Sequence, residues 1–421
     1  MSRRDRDVPP LPTTPLEASV DGFTHGGEGV ARVEGKAVFV AGALPGERVR
    51  LRVVEDRPRW ARAELVEVLD GSPDRVEPPC PYLPDCGGCD LQHASPAAQR
   101  ALKTRVVREQ LERIGRLVDP PVADCLAVGP DTGYRTHAQL HAGPDGRLGF
   151  HRAGSHEVVA VDRCLVLAPE AQAVRDEVGD GTGAQRVAVR GHAAGAAAVL
   201  TPGPGGMDLP DGEADLLLEQ PDGSAIAIRG EGVCTEEVAG LALSFPATSF
   251  FQVNTAGAEA LVAHVLAAAG DLAGAVAWDL YAGVGLLSLP LARAGASVTA
   301  VEGDEAAAEW CERNAATHDL DVLVEADDVR DFVARSGDAT GPHGEPDVVV
   351  LDPPRTGAGI EVVAAIAALL PATIVYVACD PAALARDARA LADAGYRLVG
   401  AQPLDLFPHT HHVEVVARFV R

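Results

Sequence analysis

From residue 255 onward the chain alternates short apolar runs with amphipathic stretches, and this leaves few folds open. A helix over 256–269 leads into an apolar strand at 275–281. After it the pattern predicts helices over 286–294, 305–317, 360–370 and 381–394. Between them it predicts strands at 297–301, 322–325, 347–351 and 373–378, then two closing strands near 396–403 and 413–419. Strands that alternate with helices build a doubly wound α/β sheet, which binds ligands at the C-terminal ends of its strands.

The residues at those ends define a candidate site. Asp279-Leu280-Tyr281-Ala282-Gly283-Val284-Gly285 bridges the first strand and its helix, and Gly283 and Gly285 let backbone approach a ligand. Glu302 follows about 20 residues on, where a carboxylate can accept from ribose hydroxyls. A dinucleotide fingerprint needs a third glycine, but Leu287 and Ser288 stand there. The pocket therefore favours S-adenosylmethionine, which has no pyrophosphate to seat on a helix N-terminus. Asp327-Asp328 and Asp352-Pro353-Pro354-Arg355 follow the third and fourth strands, the alternative being plain turns with an N-cap Asp.

Cys379 lies just past the fifth strand, before Pro381 at a helix start. A helix N-terminus stabilises a thiolate, so the position suits a nucleophile as well as an inert core thiol. Glu414 enters the last strand between apolar neighbours, where an ionisable group is costly unless paired or used. His409, His411 and His412 lack one-face spacing for a metal. A thiol, a carboxylate base and a methyl-donor pocket fit one reaction at uracil C5. The thiol adds to C6, C5 takes the methyl group, and the base removes the C5 proton. The target base would have to leave its stack.

The front of the chain reads differently. Five short runs between residues 16 and 68 predict a small OB-type barrel, a shape that commonly binds oligonucleotides. Residues 72–93 hold Cys80, Cys86 and Cys89 among prolines and glycines, and Cys164 follows later. Three clustered cysteines plus one distant suit an iron–sulfur cluster. Structural zinc, which more often takes two close pairs, and buried free thiols are the alternatives. The run 97–115 reads as a helix, with Leu102, Val106, Leu111 and Ile114 at helical spacing, and 125–245 reads as mostly β. The expected domains are a disordered tail (1–14), the barrel (15–71), a central β region with the Cys loop (72–245) and the α/β domain (246–421), with the 97–115 helix available to pack on the last.

Charge is distributed unevenly. The net charge is −25, of which residues 1–155 carry −1 and residues 156–421 carry −24. A polyanion is thus expected at the front, near Arg48, Arg50, Arg52, Arg57, Arg59 and Arg62, unless these form a solvated strand face. No apolar run reaches the 18 to 20 residues or so that span a bilayer, and no signal core follows the charged start. A cytoplasmic protein with reduced thiols is the expectation, with no membrane and no protein partner inferred.

At these residues the sequence resembles the RNA 5-methyluridine (uracil-C5) methyltransferases. Thr24-His25-Gly26-Gly27-Glu28-Gly29-Val30-Ala31 resembles their TRAM RNA-binding domain. Cys80, Cys86, Cys89 and Cys164 match the spacing by which ribosomal-RNA members hold a 4Fe–4S cluster. Phe250-Phe251-Gln252-Val253-Asn254 matches the run carrying a donor-binding Gln, and further donor contacts carry over to Tyr281, Glu302, Asp328 and Asp352, with Asp327 as the rival of Asp328. Cys379 falls in the nucleophile motif and Glu414 in the base motif Phe407-Pro408-His409-Thr410-His411-His412-Val413-Glu414. Leu286 stands where several members place Asn or Thr, and Asp380 where many have Asn. The resemblance implies a class I methyltransferase domain acting on RNA, ribosomal rather than transfer RNA. The rival readings are an amino-group RNA methyltransferase, from Asp352-Pro353-Pro354, and a non-catalytic RNA-binding or redox iron–sulfur protein.

Overall fold

The computed structural model describes residues 11–12, 14–336 and 344–421. The expected tail lies mostly outside them, but Leu11 is buried in the barrel core, its N–H donating to Asp56. Five strands, β1 (Leu16–Phe23), β2 (Glu28–Val33), β3 (Lys36–Ala41), β4 (Arg48–Asp56) and β5 (Trp60–Asp70), close in the order β1-β2-β3-β5-β4. Alternation along each strand turns Val38, Val40, Val49, Leu51 and Ala61 inward. The same alternation turns the arginines outward, where they meet carboxylates. Arg48 pairs with Asp70, Arg50 with Glu17 and Glu67, Arg52 with Glu64, Arg57 with Glu55, and Arg62 with Glu28. The expected polycation is therefore largely self-neutralised, because acidic residues alternate in register with basic ones on neighbouring strands.

Next come α1 (Pro96–Arg113), β6 (Leu126–Ala127), β7 (His137–Ala142), β8 (Leu148–His151), β9 (Val158–Ala160), α2 (Pro169–Val178), β10 (Ala184–His192), β11 (Gly195–Pro202), β12 (Asp215–Glu219) and β13 (Ala225–Arg229). A hairpin of β14 (Val233–Val238) and β15 (Leu241–Pro246) follows. The central sheet has the order β13-β12-β11-β10-β7-β8-β9. Helix α2 packs Ala171, Val174 and Val178 onto Leu140, Val187 and Leu200 of that sheet. The β11, β12 and α2 segments gave no distinct sequence signal, since Ala-rich runs such as Gly195-Ala196-Ala197-Ala198 suit strand, helix or loop.

The last third holds α3 (Thr255–Ala269), β16 (Val276–Leu280), α4 (Ser288–Arg293), β17 (Ser297–Glu302), α5 (Glu305–Thr317), β18 (Val322–Ala326), α6 (Val329–Arg335), β19 (Val348–Leu351), α7 (Ile360–Ala368), β20 (Thr373–Ala378), α8 (Pro381–Asp393), β21 (Arg397–Asp405) and β22 (Glu414–Val420). Its sheet runs β18-β17-β16-β19-β20-β22-β21-β6. Strands β16 to β20 are parallel, while β22 is antiparallel to both β20 and β21. Helices α3, α4 and α5 cover one face. Helices α6, α7 and α8 cover the other, and α1 joins them there. Helix α1 buries Gln99, Lys103, Val106, Val107, Gln110 and Leu111, while Ile114 stays exposed. Of the apolar residues expected to pack, Val106 and Leu111 are buried and Leu102 is half-buried, and polar side chains share the buried surface. No described helix is long and apolar enough to cross a membrane.

Candidate active site

The C-terminal edge of the parallel strands collects the candidate residues, and one reversal of direction completes the set. Strand β22 runs against β20 with Ala378 opposite Val415, so the start of β22 lies beside the end of β20. Glu414 therefore sits next to Cys379. Asp352, at the end of the adjacent β19, faces both, and Arg355 reaches the same group from the following turn.

The electrostatics of this group differ from the expectation for Cys379. Burial pushes its thiol up to about 12, and the Glu414 and Asp352 carboxylates push the same way, with Arg355 opposing. The start of α8 gives the thiolate little help, because Asp380 already accepts from Ala382 and Ala383 at 2.9 and 2.7 Å. An anion thus occupies the place where a thiolate would gain from the helix terminus. Glu414 is only 3% exposed. Burial raises its carboxyl well above the usual range, Asp352 adds to the rise, and Arg355 opposes it. Asp352 shifts in the same direction, through burial. Like charges this close disfavour joint ionisation, so the resting site holds protons.

Two further parts surround the strand ends. Tyr281, with φ of 66°, lines a cavity of about 470 Å³ with Asp328, Arg330, Asp331, Gly357, Ala358 and Val362. Asp328 also caps α6 by accepting from Arg330 and Asp331. Asp327 is instead drawn to Arg335. Glu302 accepts from Gly283 N–H and Asp304 N–H, both at 2.8 Å, which fixes its carboxylate beside the glycine turn. A Cβ on Gly283 would meet open space, so a ligand can approach there. Gly285 has another reason to be glycine: a Cβ would lie 2.4 Å from Leu289 and 3.0 Å from the Cys311 sulfur.

The run around Gln252 divides its work. Phe251 stacks on Phe245 at 4.5 Å, and the Val253 carbonyl accepts from Thr136 N–H at 2.7 Å. Asn254 caps α3 and donates to the Leu406 carbonyl at 2.8 Å. Those contacts hold Gln252 buried next to the segment that leads to Glu414.

That segment, 406–413, has no regular structure of its own and is gripped from outside. Buried Lys103 reaches the Asp405 carboxylate and the Phe407 carbonyl. Gln99 accepts from His409 N–H at 2.7 Å, and Tyr134 O–H donates to Pro408 at 3.0 Å. Sequence reading missed these anchors. The available signal was Gln99 and Lys103, one helical turn apart on the face of α1 that the structure buries.

The four loop cysteines line one cavity of about 410 Å³ with Gln92, Arg135, His137, Gln139 and His141 among its other walls. All four are free thiols. Burial raises Cys86, Cys89 and Cys164, and the neighbouring thiols add to the rise. Among the described residues, no three Cys, His, Asp or Glu side chains are close enough to hold one metal ion. The cysteines therefore surround a space rather than a point. Gly87 is required where the loop crosses the central sheet, since a Cβ would lie 2.8 Å from the His151 carbonyl.

Comparison with known proteins accords with this geometry. Residues 14–66 match the TRAM domain family, and residues 237–419 match the tRNA (Uracil-5-)-methyltransferase family. An uncharacterized RNA methyltransferase of Streptomyces avermitilis is 39% identical over 427 residues, spanning 95% of this chain and 97% of the relative. The 23S rRNA (uracil(1939)-C(5))-methyltransferase RlmD of Alkalilimnicola ehrlichii is 37% identical, spanning 100% of this chain and 99% of its own. The crystal structure of Pyrococcus abyssi tRNA (uracil-54, C5)-methyltransferase in complex with S-adenosyl-L-homocysteine aligns with a TM-score of 0.74 at 25% identity, covering 96% of this chain and all of that one. With full-length relatives at this identity and a matching catalytic region, the chain belongs to the RNA uracil-5-methyltransferase family.

Proposed function

We propose that this protein methylates C5 of a uridine in 23S ribosomal RNA, using S-adenosylmethionine and a covalent adduct on Cys379. The observation that carries the reading is the placement of Cys379 beside Glu414, just past the Ala378–Val415 pair of the antiparallel β20–β22 register. The Cys379 thiolate attacks C6 of the flipped uracil, and the electron pair moves to C5 and O4 as an enolate. C5 then takes the methyl group from the sulfonium, releasing S-adenosylhomocysteine. Glu414 removes the C5 proton, and the C6–S bond breaks to return the thiolate.

The raised thiol fits an ordered sequence. Burial and the Glu414 and Asp352 carboxyl groups oppose the thiolate in the donor-free site, while Arg355 and a backbone hydrogen bond at Cys379 favour it. A sulfonium brought to the strand ends adds positive charge where the thiolate forms. Tyr281, Gly283, Gly285, Glu302, Asp328, Asp352 and Gln252 are the proposed donor-binding set. Within it Glu302 takes the ribose hydroxyls beside Gly283, and Gly285 shapes the turn from inside. The choice of ribosomal RNA rests on the 37% identity to RlmD against 25% to the tRNA enzyme.

Cys80, Cys86, Cys89 and Cys164 fit a 4Fe–4S cluster in number and kind, because all four line one cavity and such a cluster takes four thiolates. When bound, it would clip the Cys loop to the central sheet, and no step of methyl transfer needs its electrons. Reduced thiols of this kind suit a cytoplasmic protein. The test is labelled-methyl transfer to RNA lacking the modification. Cys379→Ala should abolish incorporation while donor binding persists, and methylation by that variant would defeat the proposal.

A further inference from the structure

Three parts of the chain distant in sequence meet at one point near the proposed base. The Asp90 carboxylate, one residue past Cys89, takes two hydrogen bonds from His411. Its Oδ1 accepts the backbone N–H at 2.9 Å, and its Oδ2 accepts from Nδ1. A carboxylate only accepts, so this contact places the proton on Nδ1. The backbone N–H groups of Asp90 and Leu91 both donate to the His409 carbonyl, at 3.0 and 2.9 Å. From the barrel, Gly27 closes over the pair. A Cβ there would lie 3.0 Å from the His411 Cβ and 3.2 Å from Asp90 Oδ2, at a φ of 82°.

This node leads straight to Glu414. The His411 ring lies on His412 at 4.1 Å, and His412 meets Phe407 edge-on at 6.1 Å. Two residues later the chain enters β22 at Glu414. The other anchors act upstream, at Leu406 to His409. Among the described residues, the side-chain hydrogen bonds that tie residues 410–413 to a distant part of the chain are those of Asp90 to His411. Small displacements of a base cost rate steeply, about 100-fold for a 1 Å misplacement.

We propose that Asp90 and His411 are positioning residues that aim Glu414 at the C5 proton, so that the Cys loop helps set the elimination step. The inference rests on the reading of Glu414 as that base. It assigns the pair no contact with the substrate. A tie of this kind should change turnover, whereas a mere latch between domains should change stability or RNA affinity.

The full-length protein is tested with unfluorinated RNA substrate and labelled donor, comparing wild type, Asp90→Ala, Asp90→Asn, His411→Ala and Glu414→Gln. Asp90→Ala and His411→Ala should each lower kcat roughly 10- to 100-fold. The KM for RNA should stay within about threefold, and a methyl-labelled, denaturant-stable adduct at Cys379 should accumulate, as in Glu414→Gln. Asp90→Asn keeps an acceptor for the His411 N–H and should recover most of the rate. The double variant Asp90→Ala/His411→Ala should be no slower than either single one. Wild-type kcat in Asp90→Ala, a loss confined to KM, or slow turnover without adduct in both single variants would overturn the inference. If Glu414→Gln itself fails to accumulate adduct, the reading of the base fails instead.

Discussion

Lys103→Met should destabilise the catalytic domain by about 3–5 kcal/mol, the cost of leaving one member of a buried ion pair alone. The structure motivates the upper part of that range. Lys103 and Asp405 are 2% and 1% exposed; Lys103 donates to Asp405 Oδ1, and Oδ2 has no hydrogen-bond partner among the described residues. The methionine keeps most of the aliphatic stem, so the loss is charge rather than packing. It also frees the Phe407 carbonyl, which accepts from Nζ at 3.1 Å. At about 2–4 °C per kcal/mol for a domain of this size, the catalytic transition should fall by roughly 6–20 °C. Adding Asp405→Leu removes the stranded carboxylate, and the double variant should recover most of the loss. Thermal unfolding of the four proteins in the cycle, followed by circular dichroism and by fluorescence, gives the coupling. A single-variant loss below about 1 kcal/mol, or additive losses in the double variant, would refute the argument.

Two further outcomes follow from buried groups. Asp279 is fully buried, and its carboxyl is raised to about 7, chiefly by burial. The folded state therefore holds its proton more tightly than the unfolded chain. The contribution is favourable below the unfolded pKa near 3.8 and is lost as pH rises towards 7. Asp279→Asn should flatten that decline in denaturant titrations between pH 4 and 7, and an unchanged slope would contradict it. Cys379, raised to about 12, should react with iodoacetamide at pH 8 at least about 100-fold more slowly than an unperturbed thiol. Mass mapping of the label reads this directly, and labelling as fast as a free thiol would remove the electrostatic picture of the site.

Much of the fold was legible because parallel strands buried on both faces write continuous apolar runs, such as Val348–Leu351 and Thr373–Ala378. Their ends, with glycines and carboxylates, marked the ligand edge. What stayed hidden depends on partners far apart in sequence. Lys103 and Asp405 lie 302 residues apart, and Asp90 and His411 321. Motif position could place Cys379 at a helix start but not the acidity of its thiol, which depends first on burial and then on Glu414 arriving on a reversed strand. The packing demand on Gly285 from Leu289 and Cys311 was equally hidden, because both contacts are tertiary. The barrel arginines looked like an RNA face because strand register, which sets Arg48, Arg50 and Arg52 opposite carboxylates, is invisible in a linear reading.

The most direct test of the central proposal is to offer the protein RNA carrying 5-fluorouridine at the target position, together with methyl donor. Fluorine cannot leave as a proton, so elimination stalls after methyl transfer. The account predicts a stable protein–RNA species whose peptide map places the methylated pyrimidine on the sulfur of Cys379. Methyl transfer to ordinary substrate with no such species, or attachment at any other side chain, would contradict it.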